Sequence, residues 1–300
     1  MWQIEILTKG AWNDAPIIYW GIFRFLFAAA CILKFIVETQ RGYFRYCEPN
    51  SYLEVLLRNK KYCSIIFRNY KLIYIVKWLS VLLLCIGICS QLSAFFLAVS
   101  FIVERYVYPK YHTDLFLLTA LCLCVSADAS SFFNYHQLLL LFNEIPISSV
   151  EVPTGNILPQ IFLSFSIIIL YISTALRKFR SLSFMNGTVI TDTLKFCLEE
   201  RNHRKAFDGW YPKIYLDFFV RPDFDLCCKR WAPLLLLSTV LELLVPFFLI
   251  LNPLFLTGVI AGTVLHLFFA LLFPATLAHF SLLMVFTYIL FIDPGTWSSM

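Results

Sequence analysis

Leu170-Tyr171-Ile172-Ser173-Thr174-Ala175-Leu176-Arg177-Lys178-Phe179 closes an apolar run, Ile157–Leu176, that is long enough to cross a bilayer, and a lysine stands at its end. Charge at membrane depth is costly, so an ionisable group there is a candidate functional residue by default. A plainer role is also open to it. Arg177, Lys178 and Arg180 would together form a basic stop at the membrane surface, their long stems reaching outward to the headgroups. Both readings need a membrane around the helix.

Composition argues for one. The 300-residue chain is 60% hydrophobic and 14% charged, far from a soluble globular average. A crossing takes about 20 mostly apolar residues. The candidate segments are Pro16–Val37, Leu72–Ser90, Leu92–Val107, Asp114–Ala127, Ile157–Leu176, Ala232–Leu251, Pro253–Phe273 and Thr276–Ile292. The fold class expected is therefore all-α, a polytopic transmembrane helix bundle of about eight spans, with residues 1–300 forming one membrane domain and no separate soluble domain. The fourth segment is short, as a tilted or broken helix would be. Residues His136–Ile147 contain a leucine run cut off by Asn143, Glu144 and Pro146, which suits a re-entrant or interfacial piece.

No cleavable signal peptide is expected, because the first apolar run carries Arg24 and Lys34 and leads to no small-residue cleavage site. No internal repeat or heptad run stands out. The connections between Lys34 and Lys71 and between Arg177 and Arg230 are basic, whereas Ala127–Val152 carries Asp128, Glu144 and Glu151. Short basic loops stay on the cytoplasmic side, so eight spans would place both termini outside. The net charge of +5 needs no nucleic acid to explain it, since basic loops meet anionic headgroups.

The ten cysteines show no paired CxxC spacing, so neither a zinc site nor any other metal centre is expected. Cys31, Cys85, Cys89, Cys122 and Cys124 lie in spans, where a free thiol behaves as a small hydrophobe. Cys47 and Cys63 could pair only in an oxidising compartment, and the loop charge argues against that.

Other ionisable groups accompany Lys178. Arg24, His112 with Asp114, Glu242 and His266 lie in or against predicted spans. Each has to face a bundle interior and find a partner there. Arg24 with Glu242 is one natural ion pair, which would make those two structural. Lys77, Glu104 and Arg105 fall nearer span ends, where the interface can solvate them.

These residues, in this order, resemble the pattern of the vitamin K-dependent gamma-carboxylase superfamily, whose related bacterial proteins are called HTTM (horizontally transferred transmembrane) proteins. The resemblance rests on the helix Tyr171–Phe179 ending in Lys178, followed by Phe184-Met185-Asn186-Gly187. It extends to Arg24 in the first helix, His112-x-Asp114 entering a middle helix, Trp231 before a helix with Glu242 and Pro246, the late helical His266, and the closing Tyr288–Pro294. Phe184 replaces the family's tryptophan. The resemblance thus implies a membrane domain without the large luminal portion that follows it in the carboxylase.

The resemblance implies a quinol- and oxygen-dependent enzyme, carboxylase-like (a lyase) or oxidising, with reduced vitamin K or another quinol as cofactor and a peptide or small molecule as substrate. It implies Lys178 and His112 as catalytic residues, with Arg24, Asp114, Glu242, His266 and Gly187 supporting the site. An amine is a useful base near neutral pH only where its surroundings disfavour protonation, and the apolar helix before Lys178 fits that need. The alternative is a non-catalytic membrane subunit or chaperone of a peptide-export or toxin-maturation system, with a membrane protein as partner. Either would be a multi-pass protein, expected in the plasma membrane of a bacterium. A transporter is disfavoured by the lack of inverted repeats or matched broken helices.

Overall fold

Each of the eight apolar segments coincides with a helix in the computed structural model, which describes residues 14–16, 18–40, 63–107, 111–126, 154–204 and 213–292. The helices are α1 (Ile18–Gln40), α2 (Cys63–Arg68), α3 (Tyr70–Ile86), α4 (Ser90–Val107), α5 (Tyr111–Val125), α6 (Leu158–Arg180), α7 (Leu182–Met185), α8 (Thr188–Arg204), α9 (Phe224–Ile250), α10 (Phe255–Leu272) and α11 (Pro274–Thr287). A short helix Lys213–Tyr215 runs into a π-helical turn, Leu216–Val220, ahead of α9, and 3-10 turns follow α9 and α11. The leucine-rich piece His136–Ile147, the acidic segment around it, Cys47 and the closing Asp293-Pro294 lie outside the described residues.

The fold is all-α and of membrane type. Among the described residues four helices are long and apolar enough to cross a bilayer: Tyr19–Thr39, Leu158–Arg180, Phe224–Ile250 and Phe255–Leu272. His112–Val125 and Thr276–Phe291 are shorter apolar helices. On α10 the side chains of Leu256, Ile260, Val264, Leu267 and Leu271 are exposed at helical spacing, forming one continuous apolar face. Water would not tolerate such a stripe, and lipid does. Among the described residues the strands form one two-stranded antiparallel ribbon, β1 (Asp14–Pro16) on β2 (Thr154–Asn156), with Ala15 opposite Gly155.

By contact the chain divides into two compact units. One runs to Ser164 and includes the residues from Ile289 onward. In it α4 packs on α5 and on α3, and α3 on α1. Trp20, Phe23, Phe27, Phe35, Phe101 and Phe116 are buried here, and the Phe116 ring meets Phe27 at 6.0 Å and Phe101 at 5.7 Å. The first turn of α6 is capped by Asn156, whose Oδ1 accepts from Leu158 N at 2.8 Å. Gln160 Nε2 and Ser164 Oγ both donate to the Leu290 carbonyl, at 3.1 and 3.3 Å.

The other unit spans Phe165–Tyr288. Its α9–α10–α11 hairpins pack in sequence, and Ile190, Leu194, Val220, Trp231, Leu235 and Leu272 form its core. Trp231 Nε1 donates to the Phe219 carbonyl at 3.2 Å, which docks the π-helical turn on α9. Gly187 holds φ at +83°, and a Cβ there would lie 2.5 Å from the Cys228 carbonyl oxygen. The turn after α7 therefore approaches α9 at a distance that only glycine permits.

Candidate functional site

In the unit Phe165–Tyr288, Tyr171 and Lys178 lie two helical turns apart on α6, and so on the same side of it. Lys178 Nζ forms an ion pair with Glu242 Oε1 on α9. The carboxylate is buried, and the lysine is 19% exposed. Two aromatic rings complete the ammonium's surroundings, Phe184 at 5.1 Å and Phe269 at 4.6 Å to the ring centroids. Phe184 reaches the lysine because α7 turns back directly after α6. Ser181 caps that turn, its Oγ accepting from Phe184 N at 3.3 Å.

Glu242 is set in a helix that carries Pro233 and Pro246. Proline has no N–H, so Pro246 cannot bond to the Glu242 carbonyl one turn earlier. The second carboxylate oxygen of Glu242, Oε2, is buried without a hydrogen-bond partner among the described residues.

The other face of the site is aromatic and polar. The Tyr171 hydroxyl lies 2.7 Å from His266 Nε2 and 2.5 Å from the Tyr288 hydroxyl. The His266 ring meets Phe269 edge-on at 6.0 Å, so Phe269 touches both the imidazole and the Lys178 ammonium. Lys178, Glu242 and His266, three residues singled out in the sequence, thus fall in one neighbourhood. Gly187 supports it through the close approach of its turn to α9.

Arg24, His112 and Asp114 belong to the other unit. The Arg24 guanidinium donates to the Leu84 carbonyl at 3.1 Å and to Ser90 Oγ at 3.2 Å, against the left-handed turn at Gly87. The partner expected for Glu242 was Arg24, but its Oε1 pairs with Lys178 on α6 instead. Asp114 pairs with Arg105 at 2.7 Å on an exposed edge. His112 is half-buried in the first turn of α5.

A second charged cluster overturns one sequence expectation. Lys77 and Glu104 are partly buried and paired with opposite charges rather than solvated at span ends. Lys34 pairs with Glu38 and, at 2.5 Å, with Glu104, while Lys77 reaches Glu38 at 3.2 Å and Glu104 at 3.0 Å. Thr113 Oγ1 adds a bond to Glu104 Oε1 at 2.8 Å. The Phe35 ring lies 4.4 Å from Lys77 Nζ, and Phe101 lies 5.8 Å from both ammonium groups. Two positive and two negative charges alternate, so the cluster is neutral and each charge has opposite neighbours. Its sequence signal was the Lys34–Glu38 spacing of one helical turn. Tyr171 and Tyr288 were the other residues without an assigned role, although Tyr171 sits two turns from Lys178.

Among the described residues no three His, Cys, Asp or Glu side chains are grouped so as to hold a metal ion. Comparison with protein-family models, with curated proteins and with solved structures finds no match.

Proposed function

We propose that this is a multi-pass membrane enzyme of the gamma-carboxylase and HTTM type, with about eight spans, in the plasma membrane of a bacterium, using a quinol and oxygen to carboxylate or oxidise a peptide or small molecule. The observation that carries the reading is the Lys178–Glu242 pair beneath the Phe184 and Phe269 rings. In a medium that solvates charge poorly, one proton moving from Nζ to Oε1 converts the ion pair into a neutral amine and a neutral acid. Glu242 then stores the proton, and Lys178 is free to act as a base.

The residues suit a flat ring bearing oxygens. Glu242 Oε2 and His266 Nδ1 are buried polar atoms without partners among the described residues, and Phe184 and Phe269 offer aromatic surface. A reduced naphthoquinone would supply, through its own oxidation by oxygen, the strong base that carboxylation of an unactivated carbon needs. Lys178 would take the hydroxyl proton of such a ring and become an ammonium paired with the ring's oxyanion, Glu242 would keep the first proton, and the aromatic rings would exclude water. His112 keeps the role that the resemblance implies, steadying negative charge.

The test is quinone epoxide formation by purified protein in nanodiscs, supplied with a reduced naphthoquinone and oxygen, for wild type and Lys178→Ala. Epoxide that disappears in a folded Lys178→Ala protein supports the enzyme. No turnover in a monodisperse, thermally stable sample rejects it.

A second reading draws on the Lys34–Glu38–Lys77–Glu104 cluster, whose charges satisfy one another. Ionisable groups used in that way serve packing, as in a non-catalytic subunit or chaperone of peptide export or toxin maturation with a membrane protein partner. Retained export of a co-expressed peptide in Lys178→Ala cells would favour it.

A further inference from the structure

Tyr288, Tyr171 and His266 form a hydrogen-bonded chain of three buried groups that the Lys178–Glu242 pair does not explain. The chain ends at His266 Nδ1, a buried nitrogen without a hydrogen-bond partner among the described residues. Three neutral groups in a row can be ordered in two ways. In one, Tyr288 donates to Tyr171 and Tyr171 donates to Nε2, which leaves the imidazole proton on Nδ1. In the other, Nε2 donates to Tyr171 and Tyr171 to Tyr288, and Nδ1 becomes a bare lone pair.

Phenol is the acidic partner here and imidazole the basic one, so an O–H donating to the ring nitrogen is the stronger bond. The first order is therefore favoured, and it presents an N–H at Nδ1. An N–H buried at membrane depth with nothing to receive it costs free energy, which a bound acceptor recovers. Packing supports the same arrangement. Gly262 lies one turn before His266 on α10, and a Cβ at that position would run into the Tyr288 hydroxyl. The glycine leaves the notch through which that hydroxyl reaches Tyr171.

We infer that Tyr288 and Tyr171 fix His266 as its Nδ1–H tautomer, and that this buried N–H is the donor that meets the carbonyl, carboxylate or hydroxyl oxygen of a bound ligand. Tyr171 and Tyr288 are positioning residues, and His266 is the one that touches the ligand. The inference deepens the proposed function and rests on it only for the choice of ligand.

The experiment is nitrogen NMR on full-length protein labelled with 15N at its five histidines, in nanodiscs, with His266 assigned by the peak lost in His266→Gln. Wild type should show a protonated Nδ1 and a lone-pair Nε2. Tyr171→Phe, which keeps the ring and removes the hydroxyl, should lose the tautomer preference. Saturating menadione, whose carbonyl oxygens accept hydrogen bonds, should shift the Nδ1–H resonance. An Nε2–H tautomer in folded wild type overturns the inference, and this outcome depends on no variant. An unchanged tautomer in Tyr171→Phe overturns the positioning role, and an Nδ1–H unmoved by menadione overturns the donor role. A menadione shift without any epoxide formation leaves the donor in place while rejecting the enzymatic reading.

Discussion

Lys34 on α1 meets Glu104 on α4 at 2.5 Å, two residues 70 positions apart whose charges are both withdrawn from solvent. Glu38 and Lys77 close the arrangement, so three helices, α1, α3 and α4, converge on a charge-neutral knot. Thr113 on α5 joins it through Glu104.

Glu104→Gln removes one carboxylate and leaves two buried ammonium groups to share Glu38. A loss of roughly 3–5 kcal/mol is expected, as for breaking a buried pair from one side. Adding Lys34→Met should recover much of that loss, because the remaining Lys77–Glu38 pair is balanced. Thermal unfolding of the single and double variants in one detergent provides the check. A double variant no more stable than Glu104→Gln would show that the knot does not act as a unit.

Gly262→Ala should destabilise the protein by about 1–3 kcal/mol, since the new methyl overpacks against the Tyr288 hydroxyl. Tyr288→Phe removes the oxygen that is struck. The pair Gly262→Ala with Tyr288→Phe should therefore unfold at a higher temperature than Gly262→Ala alone.

Gly187→Ala places a side chain in left-handed backbone and against the Cys228 carbonyl. Strain alone should cost about 1–3 kcal/mol. A Gly187→Asn variant, which tolerates that backbone region better, would still clash with α9 and so should rescue little. Melting temperatures of the two variants separate strain from contact.

Lys178→Met should lower stability less than Glu104→Gln does. Its partner Glu242 can take up a proton and become neutral, and no second ion pair among the described residues depends on Lys178. Equal losses in the two variants would contradict that difference.

Much of the helical layout was legible in the sequence because apolar length is read without knowing any contact. The eight segments fell on helices, with ends that shifted by several residues where caps decide. The α9 helix begins at Phe224, eight residues before the apolar run at Ala232, since Asp225, Lys229 and Arg230 continue the helix without continuing its hydrophobicity. Partnerships were less legible. Arg24 and Glu242 are opposite charges on apolar helices, yet nothing in a linear pattern tells which helix faces which. Glu242 went to Lys178, and Arg24 went to the Leu84 carbonyl and Ser90 at the Gly87 turn. Lys77 and Glu104 looked like span-end residues because depth within a bundle depends on neighbours, not on distance from the end of a run.

The alternating charges of Lys34, Glu38, Lys77 and Glu104 also bear on how the chain is made. Lys34 and Glu38 emerge together and can neutralise each other within α1 while it is still alone. Lys77 and Glu104 have no such companion on their own helices, and each would resist leaving water by itself. Glu38 on α1 is already matched by Lys34, so Lys77 brings an unbalanced positive charge, and its transfer out of water should wait until Glu104 on α4 supplies the second carboxylate. Truncated nascent chains ending between α3 and α4 should stay accessible to aqueous labelling at Lys77, and chains extended past α5 should not.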